Sequence, residues 1–150
     1  MALEILRTPG QATWRCPGAL LGSAVEVTCR AAGAGGKGID PGAAPNFVAG
    51  GGGGAISRSV CKVLPGEVYT FTVGAGSAGG TVAQQTPDDG GSSQFQGEAG
   101  EINLIFAAGG SGAGLGGKAA NGTGDVKFSG GDGSGADETQ GGGGGGGASS

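Results

Sequence analysis

Histidine is absent from this 150-residue sequence, and with it goes the commonest general base. No Ser-His-Asp or Cys-His arrangement is available, and no Lys or Cys stands in a pattern that would support it as a lone base. Aromatic residues make up only 5% of the chain and charged residues 13%, so little side-chain volume is at hand for a core and few groups for polar chemistry. The formal charge is -4 and the 8 Lys and Arg are scattered, which argues against nucleic-acid binding, since that needs clustered cations against phosphates. No apolar run approaches membrane-spanning length. Residues 1–6 lack the basic start, apolar stretch and small-residue cleavage site of a secretory signal. Release by lysis of a host cell is therefore the expected route outward, with a processed product as the alternative.

Cysteine is scarce too. Cys16, Cys29 and Cys61 form an odd set without a CxxC pair, which excludes a zinc site of familiar spacing. They read as small buried thiols. The alternative, a Cys29–Cys61 disulfide, would require adjacent strands and an oxidising environment.

What the chain does have is glycine, 41 residues of it. No stretch offers apolar residues at helical spacing free of glycine, so no helix is expected. Strand patterns are clearer. Val25, Val27, Cys29 and Ala31 alternate with Glu26, Thr28 and Arg30, the period of a strand with one buried face. Residues 56–64 and 68–73 flank Pro65-Gly66, which reads as a hairpin turn. Ile102, Leu104 and Phe106 mark another strand, with Asn103, Ile105 and Ala107 on its opposite face; residues 13–16, 93–96 and 126–128 are shorter candidates. Short strands punctuated by turns predict an all-β fold, a small antiparallel β-sandwich of jelly-roll-like kind. The expected organisation is one domain over residues 1–150, with a β core at about 8–108 and a glycine-rich segment at 109–150. So little apolar volume predicts an oligomer completed by neighbouring chains.

Glycine runs occupy residues 50–54, 109–117 and 141–147. They read either as flexible linkers or as ordered polyproline-II-like strands packed side by side. Ordering glycine costs the most backbone entropy, so a bundle must satisfy many N–H and C=O groups between strands. Several runs follow strands directly, near residues 32, 73 and 108, and would leave the sandwich from one end. Collagen is excluded, because glycine is clumped and only 6 prolines are present. There is no fixed tandem period for a solenoid.

Apparent motifs dissolve on inspection. GxGxxG occurs at Gly33, Gly35 and Gly38; at Gly74, Gly76 and Gly79; and at Gly112, Gly114 and Gly117. None opens a helix to receive a pyrophosphate, and at this glycine content about three chance matches are expected. Residues 112–118 fit GxxxxGK, but Ala119 stands where Ser or Thr must bind magnesium. Asp132, Asp137 and Glu138 read as solvated loop acids, since Gly135 stands where a calcium-binding β-roll needs aspartate. Asp88 and Asp89, between Pro87 and Gly90, are turn residues. No catalytic, cofactor-binding or metal-ligating residue is therefore assigned, no binding residue is identified, and no cofactor is expected.

An ordered string of residues nonetheless has a familiar look. Trp14, Cys16, Pro17 and Gly18 are followed by the 24–29 strand and Gly33-Ala34-Gly35-Gly36. Then come glycines 50–54, the run Pro65-Gly66-Glu67-Val68-Tyr69-Thr70-Phe71-Thr72-Val73-Gly74-Ala75-Gly76, Gly90-Gly91-Ser92-Ser93-Gln94-Phe95, and residues 104–110. Over residues 8–147 this resembles the glycine-rich domain of bacteriophage tail-fibre and other virion-associated structural proteins. The sequence departs where that family commonly has an aromatic after the second Cys; Arg30, Ala31 and Ala32 stand there instead. The resemblance implies a compact β-structure with glycine-rich loops in a fibre, a tip, an attachment structure or a capsid decoration. It implies a non-enzymatic protein of the virion, assembled in the host cytoplasm. The expected partners are its own copies, a trimer among the options, other virion proteins, and a host surface receptor or glycan; nucleic acid and membrane insertion are not expected. The alternative is a self-assembling subunit of an extracellular filament.

Overall fold

The structure, a computed structural model, describes residues 5–18, 24–38, 49–81, 87–97, 103–135 and 144–148. Seven strands form two antiparallel sheets: β1 (Gly10–Arg15), β2 (Ala24–Arg30), β3 (Ile56–Lys62), β4 (Val68–Val73), β5 (Ser93–Gln96), β6 (Asn103–Ala107) and β7 (Val126–Phe128). One sheet runs β1-β4-β5-β6 and the other β2-β3-β7. A single 3-10 turn, Ala119–Asn121, precedes β7, and there is no α-helix among the described residues. This is the expected sandwich, wound more simply than an eight-stranded jelly roll. The 109–150 stretch is no appendage, since β7 completes the second sheet.

β2 and β3 pack on β5 and β6. The period-two pattern of β2 is realised: Cys29 is buried and Val25 and Val27 pack on the core, while Glu26, Thr28 and Arg30 face outward. Cys16, Cys61, Val63, Tyr69, Phe95, Ile105 and Ala107 complete the core. In β6 the buried face is Ile105 and Ala107, both fully enclosed, the opposite of the one carrying Phe106. Aromatic rings compensate for the scarcity of large side chains. Tyr69 stacks on Phe95 at 5.3 Å between centroids, with Trp14 at 5.8 Å from Tyr69 and Phe71 at 6.5 Å from Phe95, contacts worth more than their buried area alone.

One local expectation is corrected. Pro65-Gly66 does not close a hairpin between β3 and β4, which lie in different sheets. Glu67 N–H donates to the Leu64 carbonyl at 3.1 Å, and Gly66 has φ +84, so residues 64–67 form a type II turn with proline and glycine in their favoured places. The turn is a corner between sheets. It is locked by the Tyr69 hydroxyl, which accepts from Leu64 N–H at 2.9 Å and donates to Glu67 Oε2 at 3.2 Å. β4 pairs instead with β1, Trp14 opposite Tyr69.

The cysteines are the small buried thiols expected, all three of them free. Cys29 pairs across the hairpin with Ser57, and Cys61 with Val25. Four residue pairs separate the two thiols along the strands, roughly 13 Å of rise, well beyond disulfide reach. Burial, then the proximity of Cys61, pushes the Cys29 thiol up to about 12; burial, then Asp125, raises that of Cys61.

Candidate functional site: the free end of a glycine bundle

The glycine segments are ordered strands. Ala31, Ala34 and Lys37 N–H donate to Ala55, Gly52 and Ala49 carbonyls at 2.9–3.0 Å. The step is three residues on both chains, where a β-ladder would repeat every two. It is the period of the polyproline-II helix. The same step recurs from Gly50 and Gly53 to Ser134 and Gly131, from Gly52 and Ala55 to Ser111 and Ala108, from Gly145 and Ala148 to Gly51 and Gly54, and from Gly130 and Gly133 to Gly117 and Gly114. Bonds from Ser77 and Gly80 to Gly33 and Gly36 add the 74–81 segment. Flexible linkers are thereby excluded for these residues.

Six of the bundle strands continue sheet strands, which explains their common axis. Segments 31–38, 74–81, 108–112 and 129–135 leave the sandwich after β2, β4, β6 and β7, while 49–55 and 87–92 return into β3 and β5. Segment 49–55 lies at the centre. A methyl group on Gly51, Gly52, Gly53 or Gly54 would overlap the carbonyl oxygens of Ala34, Leu115, Gly146 and Ala31 respectively, so four glycines in a row are required by close backbone approach on every side. Ser93 ties bundle to sandwich: its hydroxyl donates to the Arg30 carbonyl at 2.7 Å and accepts from Gly74 N–H at 3.0 Å.

The discounted motifs find their explanation here. Gly35 and Gly38 face the backbone of Ala78 and Thr81, and Gly112 that of Pro87; the fingerprint glycines are packing residues. Lys118 of the GxxxxGK string pairs with Asp132 at 2.9 Å. Asp132 Oδ1 also accepts from Gly116 N–H at 2.7 Å, and these two partners, the amide first, hold its carboxyl below the usual carboxylate range. Asp89 Oδ1 accepts from Gly112 N–H at 2.9 Å, so both acids cap bundle strands. Neither role was visible in sequence, where an Asp beside glycines signals only a turn. Asp137 and Glu138 lie outside the described residues. No group of three His, Cys, Asp or Glu side chains comes together among the described residues, and no helix among them is long and apolar enough to cross a membrane.

Two surfaces remain as candidates. A groove of about 280 Å³ runs between residues 5–9 and the inner face of β1 and β4, lined by Ile5, Leu6, Ala12, Phe71 and Val73. The other is the bundle's free end. Lys37 bonds to Ala49 there, Gly80 to Gly36 and Gly50 to Ser134, so the residues flanking segments 39–48, 82–86 and 136–143 all stand at this end. The residues that flank these connections are thus held by the bundle's backbone hydrogen bonds.

No curated protein and no solved structure gives a significant match to the chain. A family model does, over residues 7–150. The chain belongs to the family of the glycine-rich domain.

Proposed function

We propose that the protein is a non-enzymatic structural component of a virion, a capsid decoration, tail-fibre part or adhesin, acting in assembly or host attachment. The observation that carries this is the stem: glycine is used to set strands at backbone contact, and the ends of three connecting segments meet at its tip. A stem of this kind holds its tip by hydrogen bonds that all run across its axis, so contacts made at the tip are made by pre-ordered supports. Copies of the chain, other virion proteins and a host surface receptor or glycan are the proposed partners. A self-polymerising filament is the second reading, favoured by β1, an edge strand whose ladder runs only to β4.

Electron microscopy of the purified chain at several concentrations, with its mass in solution, separates the two. Discrete particles support the virion reading, and long regular filaments from this chain alone replace it with the second. Attachment is tested by incubating labelled chain with a panel of intact bacterial cells. Retention on a subset of strains, lost when residues 82–86 are replaced by a Gly-Ser segment, supports it; retention on none overturns attachment and leaves assembly.

A further inference from the structure

Most glycines of the bundle follow a rule. Where another backbone passes, the residue is glycine; at the rim, side chains appear every third position, as Ala75, Ala78 and Thr81 on one strand and Ser129 and Asp132 on another. Rim side chains also supply acceptors to bundle amides, as Ser77 does for Gly35, Asp132 for Gly116 and Ser129 for Ala119. Strand 144–148 breaks the rule. Gly145 packs against Gly131, yet a Cβ on Gly144, Gly146 or Gly147 would meet nothing among the described residues. The strand is as free of side chains as the central one, although it bonds only to segments 49–55 and 129–135 among the described residues.

Its place in the fold can be fixed. The central strand 49–55 continues β3, and segments 31–38 and 129–135 flank it as β2 and β7 flank β3. Segment 108–112 approaches from the side of the other sheet, as β6 does. Strand 144–148 therefore lies on the remaining side, in line with the outer face of the β2-β3-β7 sheet. That outer face carries Glu26, Arg30, Arg58 and Lys62, and among them exposed apolar side chains. Val60 is 62%, Val126 46% and Phe128 39% exposed. Arg58, in register with Val126, is neutralised by Glu26 at 2.7 Å. Two independent features, glycines without a packing partner among the described residues and exposed apolar side chains, thus occupy one continuous strip.

We infer that this strip is a self-association surface, on which a second copy docks about a twofold axis parallel to the bundle. The copies lay their 144–148 strands side by side and set their Val60, Val126 and Phe128 patches against each other. The occupant is a second copy because a strand of three-residue period nearly free of side chains matches an open glycine face, and among the described residues Gly144, Gly146 and Gly147 of this chain form such a face. Parallel pairing is compatible with the strand chemistry, since 144–148 already runs parallel to 49–55. A strip roughly 30 Å long and about 15 Å wide, from the rise of its strands, buries on the order of 900 Å² over both copies, below the ~1,200 Å² of stable specific interfaces and in the range of transient ones. The complex is therefore weak and concentration-dependent. The inference rests on the self-association part of the function proposed above and not on attachment.

Sedimentation equilibrium of the full chain from about 1 μM to about 1 mM spans the affinities such an area supports. The expected result is a reversible monomer–dimer transition that Gly146→Glu and Val126→Lys each shift at least ~10-fold to higher concentration. Their melting temperatures and circular dichroism stay those of the parent, since a side chain at position 146 meets nothing among the described residues and Val126 faces outward. A monomer throughout overturns both this interface and the self-association reading. Association unchanged in both variants overturns the interface alone and moves it to another face. Gly76→Glu, on the opposite rim, is the control and leaves the transition in place.

Discussion

The sandwich and the bundle are built from one chain by opposite means. In the sandwich, strands pair every second residue and alternate side chains fill the space between sheets, so apolar burial carries the stability. In the bundle, strands pair every third residue and there is almost nothing to bury; the stability comes from backbone hydrogen bonds at close approach. The difference shows in how each region fixes its register. A one-residue slip in β2 would turn Cys29 outward and Arg30 inward. A three-residue slip of strand 49–55 would put glycine beside glycine again. The bundle has no register of its own and takes it from the strands into which it runs, with Ile56 of β3 set opposite Phe128 of β7.

The contrast can be tested from the centre of the bundle first. Gly52→Val places side-chain atoms against the Leu115 backbone, which cannot retreat without parting the strands; the expected loss is about 4 kcal/mol or more, read by chemical denaturation. A loss below ~1 kcal/mol would mean that the bundle opens independently of the sandwich. Phe95→Ala removes the ring between Tyr69 and Phe71 and is expected to cost about 3 kcal/mol. If sandwich and bundle form one cooperative unit, both variants lower a single transition, and calorimetry resolving two transitions would refute that. Tyr69→Phe leaves the stack but strips Leu64 N–H of its acceptor at the corner between sheets, for about 1–2 kcal/mol.

A further effect is one of pH. The Cys29 thiol is raised from 9.0 to about 12 by its burial, so the folded chain keeps it protonated where the unfolded chain ionises it. The stability this contributes is whole below pH 9 and declines between about 9 and 12. Melts across that range should show the decline, and Cys29→Ala should reduce it. A profile identical in the variant would assign the alkaline loss to other groups.

Much of the sandwich was legible because side chains declare a face. Val25, Val27 and Cys29 announced an inner surface, and Ile105 and Ala107 sat on the alternating pattern even though the larger Phe106 drew attention to the other side. The corner at Pro65-Gly66 was legible as a reversal and not as a crossing, because turn chemistry is local while the choice of β1 as partner for β4 reaches back more than fifty residues. The bundle was legible as a possibility only. Glycine carries no face, so clumps such as 50–54 reveal where backbones crowd without naming their neighbours. The capping roles of Ser93, Asp89 and Asp132 were hidden for the same reason.

The direction of the bundle's hydrogen bonds has a mechanical meaning. The strands run along the stem and their bonds run across it, so a pull between tip and sandwich loads many bonds at once in shear and none can be opened singly from an end. Each outgoing strand is also the uninterrupted continuation of a sheet strand, so tension passes from stem to sandwich through covalent backbone. A protein that must stay joined to a moving particle while its tip is held would gain most from such a construction.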